Sequence, residues 1–264
     1  SKIALASTSF IMLNELWYSK YPKTKFHTFN DSKEWLQMDK VGHATTSYYL
    51  GYLSYEIFNW TGLDKKKSIL IGGGTGLLYL SALEFMDGFF EEWGFSIADM
   101  TSNLAGTGLF VSQQILWDEQ RIKLKFSFHQ SEIAQYRPAL LGSSVNEQIL
   151  KDYNGQTYWL STNIHSFLNQ ESKFPKWLNI AIGYGANGMI GGHQNNYTFC
   201  NGDPNCISQK RERQFYLSLD ADLTKIKLKS KIMNSIFGSF GFIKIPFPTL
   251  ELSKSTSKFH WLYF

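Results

Sequence analysis

Cysteine is almost absent from this chain: its 264 residues contain two, Cys200 and Cys206. They bracket Asn201-Gly202-Asp203-Pro204-Asn205, a turn-forming loop that can bring two Cα atoms within disulfide range. A metal site needs more ligands than two sulfurs, and the nearest histidine, His193, has no second partner in view. A loop-pinning disulfide between Cys200 and Cys206 is therefore expected, and with it an oxidising compartment such as the periplasm or the exterior. Charge of one sign is also scarce. The net charge is +4, with Lys and Arg spread along the chain, and the tightest cluster is Lys65-Lys66-Lys67. That is no nucleic-acid footprint, which needs a continuous basic face, and the three lysines read as solvated linker charges. No internal repeat and no low-complexity tract occur. Long apolar runs are lacking too: Ile3 to Leu16 spans about fourteen residues, too short to cross a bilayer core of about 30 Å as a helix. Neither a basic leader region nor a cleavage site is visible at the start.

What the chain has in abundance is aromatic side chains, with 21 Phe, 14 Tyr and 8 Trp. That density suits strand faces, carbohydrate contacts or a membrane interface. The pattern divides near residue 120. Before it, apolar residues recur at helical spacing and glycine is frequent. Asn30-Asp31-Ser32 ahead of Glu34 predicts a helix start, and a helix from Trp35 to about Trp60, broken by Thr61-Gly62-Leu63-Asp64. A second helix is expected from Ser68 to about Phe90 and a third from Ser96, as cap, to about Trp117. Gly72, Gly73, Gly74, Gly76, Gly106 and Gly108 cost helix stability, so they need a reason such as close helix–helix contact. A phosphate loop is the weaker reading of Gly72 to Gly76, because no Lys-Ser/Thr follows. After Glu119 the period becomes two. Ile122-Phe128, Tyr158-Ile164, Trp177-Tyr184, Phe215-Leu223 and Phe259-Phe264 read as strands, with Leu140 to Tyr153 a connection holding a short helix. The fold class is thus α+β: a Gly-rich helical bundle over residues 1–120, then an antiparallel β region over 121–264.

Each predicted helix also carries a polar stripe. Asp39 and His43 are four apart, Glu84 and Asp87 three apart, and Asp99, Asn103 and Gly106 share the stripe of the third helix. Were the stripes to converge, several carboxylates, an imidazole and an amide would meet in a low-dielectric interior, where they must pair or hold an ion. Three readings compete. The favoured one is a structural network of Asp39, Lys40, His43, Glu84, Asp87, Asp99 and Asn103 that fixes helix register, with Lys40 or His43 as counter-charge. In the second, His43, Glu84 and Asp87 bind a divalent metal, the one cofactor left open, with hydrolytic chemistry. In the third, His43, Glu84, Asp87, Asp99 and Asn103 form an acid/base site for an envelope glycan or lipid, with Glu84 or Asp87 as base and His43 as acid.

Asp39-Lys40-x-x-His43, Glu84-x-x-Asp87 and Ser96-x-x-Asp99-x-x-x-Asn103-x-x-Gly106 together resemble the YfiM-like family of predicted periplasmic lipoproteins. The stretch Phe26-His27-Thr28-Phe29-Asn30-Asp31 through Trp35-Leu36-Gln37-Met38, and the closing Phe259-His260-Trp261-Leu262-Tyr263-Phe264, are similar to its long Bacteroidota members. The order of motifs is also similar, more distantly, to VanZ-like membrane proteins. Glu92-Trp93-Gly94-Phe95 stands here where those proteins carry an Arg. The resemblance implies an envelope location and no established reaction. A lipoprotein begins at a lipidated Cys, and this chain opens on Ser1, so lipidation has no support.

The aromatic final segment, Lys258 to Phe264, is similar to the last strand of outer-membrane barrels. Five strands are expected against the roughly eight that closure needs, and Pro246 and Pro248 demote a sixth over 240–248. The functional expectation is a non-enzymatic envelope component, outer-membrane-associated or periplasmic, contacting membrane and envelope proteins and no nucleic acid. The alternatives are a metal-dependent or acid/base hydrolase and a ligand-passing outer-membrane barrel.

Overall fold

The computed structural model describes residues 21–169, 171–196 and 210–263. The expected Cys200–Cys206 disulfide and the apolar segment from Ile3 to Leu16 lie outside the described residues. Three helices come first: α1 (Met38–Trp60), α2 (Lys65–Asp87) and α3 (Ile97–Leu116). The second starts earlier than its apolar pattern suggests. Asp64 caps it by accepting from the Lys67 N–H, so Lys65 to Lys67 form its exposed first turn instead of a linker. Ser96 caps α3 as expected, accepting from the Asp99 N–H at 3.0 Å.

The entry to α1 differs from the expectation. Asp31 does not cap it. Glu34–Gln37 form a 3-10 turn, and Trp35, Leu36 and Gln37 adopt left-handed φ values of 47°, 50° and 67°. Three such residues in a row are costly and need outside support. Gly192 O accepts from the Trp35 N–H at 2.8 Å, Tyr184 OH donates to Leu36 O, and Met38 packs against Ala186 and Met189. The start of α1, where Asp39 and Lys40 sit, is thereby clamped to the β region.

Glycine lets the three helices approach backbone to backbone. A Cβ on Gly76 of α2 would stand 2.5 Å from Ser47 O of α1, and one on Gly106 of α3 only 1.9 Å from Ala44 O. Tyr48, Tyr55, Ile69 and Phe110 fill the apolar part of the bundle.

The chain then enters a six-stranded antiparallel sheet in sequential order: β1 (Ile122–Phe128), β2 (Gln156–Asn163), β3 (Leu178–Asn187), β4 (Glu212–Ala221), β5 (Phe247–Ser253) and β6 (Ser257–Tyr263). Short helices α4 (Pro138–Leu141) and α5 (Val145–Lys151) join β1 to β2, and α6 (Lys231–Ser239) precedes β5. The sheet is not a closed barrel, which corrects that expectation. Among the described residues its order runs from β1 to β6 without a ladder joining the two ends, and β1 instead forms a parallel bridge, Phe126 to Ile243. Fewer strands than closure requires leave the ladder open. The demoted sixth strand exists, shifted to Phe247–Ser253. Pro248, with no N–H to give, sits where the β5–β6 register slips between Phe247 and Thr249.

The polarity of this sheet is inverted. In β1 the buried positions are Lys123, Lys125 and Ser127, while Leu124 and Phe126 stand on the other face. Across the ladder Leu160, Ile182, Leu217, Leu250 and Phe259 are directly opposite one another in one outward row. They stay well exposed, Ile182 at 58% and Phe259 at 56%. The inner face is polar and curls on itself. Lys125 Nζ reaches Asp220 Oδ2 at 2.7 Å although β4 lies three strands away, roughly 14 Å in a flat sheet. Lys123 pairs with Asp222 at 2.9 Å, and Ser161 donates to Asp220 at 2.6 Å. Lys244 lies 4.8 Å from the centre of the Trp159 ring, and Tyr263 of β6 stacks on Tyr216. Buried polar groups are tolerated here because each finds a partner.

Candidate functional site

The three polar stripes converge. Lys40, in the first turn of α1, uses its ammonium fork on three acids: it donates to Asp31 Oδ2 at 2.5 Å, Asp39 Oδ2 at 2.9 Å and Asp99 Oδ2 at 2.9 Å. One turn further on, His43 Nδ1–H donates to Asn103 Oδ1 of α3 at 3.1 Å. That bond aims Nε2 at Glu84 Oε1 (3.5 Å), Asp39 Oδ1 (3.8 Å) and Asp99 Oδ1 (4.0 Å). Glu84, on α2, also accepts from the Ser96 N–H, and Ser96 Oγ donates to Asp31 Oδ1 at 2.5 Å. Glu84, Asp99 and Asn103 are buried; Asp39 and His43 form the rim, each with about a fifth of its side chain exposed. Asp99 Oδ1 is buried 2.8 Å from the Lys40 ammonium, and Asn103 Nδ2 is buried with no hydrogen-bond partner among the described residues.

The charges act on one another. Burial pushes Glu84 up to about 8, against the pull of His43. Burial and the Asp39 charge raise Asp99 to about 7, with His43 and Lys40 opposing. Burial works against a charged imidazole, but the Asp39, Asp99 and Glu84 charges outweigh it and hold His43 above its usual range. Burial is likewise overcome at Asp39 and Asp31, which are lowered by their cationic and hydrogen-bonded neighbours. The centre can therefore keep protons on buried acids near neutral pH, pass one between His43 and Glu84, or exchange protons for a cation.

Of the residues singled out from the sequence, Asp39, Lys40, His43, Glu84, Asp99 and Asn103 meet at this centre. Asp87 is half-buried and raises Glu84 through its charge. Among the described residues, the ligand atoms of Asp39, His43 and Asp99 lie within 4.8 Å of one another; of the expected metal set, His43 is in that group and Glu84 lies 3.5 Å from it. Two members escaped sequence reasoning. Asp31 passed for a helix cap, and Tyr153, whose OH donates to Asp39 Oδ1 at 2.7 Å, lies 114 residues from its partner. No spacing signal could have found Tyr153.

A helical bundle with a buried polar centre is thus joined to a sheet whose inner face is polar and whose outer face carries exposed apolar residues. Residues 27–114, about a third of the chain and the part that builds this centre, match the model of a family described as predicted periplasmic lipoprotein (DUF2279). That description supports an envelope location; it lends nothing to the likeness to VanZ-like proteins. No curated protein and no solved structure matches the chain.

Proposed function

We propose that this protein is a non-enzymatic accessory component of the outer membrane, seated in one leaflet by the outer face of its sheet and working beside other envelope proteins. The inverted polarity of the sheet carries this reading. A soluble antiparallel sheet turns its apolar face to the core and its polar face to water; this one does the opposite, as lipid-facing β structure does. Outward rows succeed one another along the strands: Phe215 and Leu252, in line with Tyr158 and Tyr184, which the start of α1 covers; then Leu160, Ile182, Leu217, Leu250 and Phe259; then Thr162, Ile180 and Leu219. Successive rows are roughly 7 Å apart, so the band is roughly 15–20 Å tall. That suits one leaflet better than a core of about 30 Å. Arg213, next outward on β4 beyond Phe215, bounds it on one side.

The helices supply a second apolar surface. Leu70 and Leu78 on α2 and Leu104 on α3 are each more than half exposed, and α2 is long and apolar enough to cross a membrane by length and composition. Such a surface suits neighbouring proteins in an assembly. The polar centre fits a structural role here, because Lys40 ties Asp31, α1 and α3 together through three ion pairs.

Fractionation of cells expressing the natural chain tests the seat. The wild type is expected in the detergent-resistant outer-membrane fraction, and Ile182→Glu with Leu217→Glu in the soluble fraction with native circular dichroism. A wild type that is fully soluble and monodisperse without detergent contradicts the proposal.

A further inference from the structure

We infer that Asp39, His43 and Asp99, backed by Glu84, form a binding site for one divalent ion of the zinc type at the centre of the helical bundle, independent of the membrane seat. The donor set is one imidazole nitrogen with carboxylate oxygens, which favours zinc-like ions over calcium or magnesium. Its three ligand atoms already lie within 4.8 Å of one another. Metal bonds of about 2.0–2.2 Å place neighbouring ligands roughly 3–3.5 Å apart, so closing the site takes small side-chain rotations and no movement of the helices.

The orientation of His43 points to an ion beyond the clustering of acids, and the burial of Asp99 agrees with it. Its Nδ1–H is fixed on Asn103 Oδ1, which leaves Nε2 directed at three carboxylates. An imidazole held by an amide or carboxyl oxygen on one nitrogen, and free to ligate with the other, is the arrangement of metal-binding histidines. Asp99 is 3% exposed. Lys40 Nζ lies 2.8 Å from Asp99 Oδ1. Its three N–H bonds, however, go to Asp31 Oδ2, Asp39 Oδ2 and Asp99 Oδ2. Oδ1 is thus held by the charge of Lys40 and also faces Nε2 at 4.0 Å, so it lies between the ammonium and the ring.

The charge count agrees. Asp31, Asp39, Glu84 and Asp99 supply four carboxylates, and Lys40 is the one cation there that does not depend on a histidine proton. Asp39 and His43 come from α1, Glu84 from α2 and Asp99 from α3, so the ion would join all three helices.

The test uses the full chain purified in detergent, stripped with chelator and titrated with Zn²⁺ alone at pH 7.5. The expected result is one zinc per chain with a raised Tm, an affinity at least 100-fold weaker in His43→Gln, and one weaker by about 10–100-fold in Asn103→Ala, which acts through ring orientation. Circular dichroism of the stripped proteins checks that both variants fold. Should His43→Gln not fold, X-ray absorption at the zinc edge of the wild type decides. One imidazole with oxygen ligands supports the site; a shell with sulfur or several imidazoles overturns it. Failure of the folded wild type to take up stoichiometric zinc, or equal uptake by folded His43→Gln, also overturns it.

Discussion

The helical centre and the sheet interior both bury charge, but they balance it in opposite ways. Inside the sheet Lys123 and Lys125 meet Asp222 and Asp220, and a third buried lysine, Lys244, is held by Ser218 Oγ and Ile245 O and pushed down to about 8 by burial. In the bundle four carboxylates surround one lysine and one histidine, and two of the acids are pushed up to about 7 and 8. An interior whose lysines are each held by a fixed acid, hydroxyl or carbonyl needs nothing more than its own groups. An interior with excess acid stays bistable, because protons or a cation must complete it. The sheet is therefore read as framework and the bundle centre as the place where state can change.

The largest expected effect breaks the matched side. Lys125→Ala removes the ammonium that lies 2.7 Å from buried Asp220 and should cost about 3–5 kcal/mol in denaturant unfolding. Replacing both by apolar residues, Lys125→Met with Asp220→Leu, should recover most of that loss. A double variant as unstable as the single one would mean the pair does more than balance charge.

Next comes the pH dependence of the metal-free protein. Glu84, Asp99 and His43 all have folded pKa values above their unfolded ones. Asp31 and Asp39 are lowered and Lys40 stays charged, so none of these changes between pH 5 and 8, and neither does Tyr153, held well above its usual range by burial and by Asp39. Glu34 and Glu56, raised by burial, act in the same sense, while His129 and Lys244, lowered by burial, act against it. The centre thus binds more protons in the folded state in that window, and its contribution to stability is greatest at the acid end. It should fall by on the order of a few kcal/mol from pH 5 to 8, and Glu84→Gln should flatten the curve. A flat wild-type curve would show that the acids titrate normally.

Smaller again is the effect of helix spacing. Gly106→Ala forces a Cβ against Ala44 O and should cost about 1–3 kcal/mol. Gly74→Ala, where a Cβ meets nothing within 4 Å, should stabilise by roughly 0.5–1 kcal/mol. Equal losses at both sites would mean that close backbone contact is not what the glycines provide.

The same contrast explains what could be read from sequence. The bundle centre was legible because helical periodicity puts Asp39 with His43, and Asp99 with Asn103, on single faces, and buried charge forces such faces together. The strands were legible as alternation, but the buried face was not. Lys123 and Lys125 look like solvent positions until Asp222 and Asp220, almost a hundred residues on, are seen to meet them. The strand around Pro248 was hidden by a residue that weakens ladders everywhere except at an irregularity. Asp31 sat in a cap-like sequence, yet its carboxylate serves Lys40 and Ser96.

The inverted sheet is the claim on which the account rests, and lipid contact at one exposed residue tests it most directly. Trp261 is 79% exposed beside Phe259 on the outer face of β6. The fluorescence difference between wild type and Trp261→Leu in vesicles isolates its emission. The account predicts quenching of that difference by lipids brominated along the acyl chain and protection from aqueous acrylamide. Full acrylamide quenching with none from brominated lipid would contradict it.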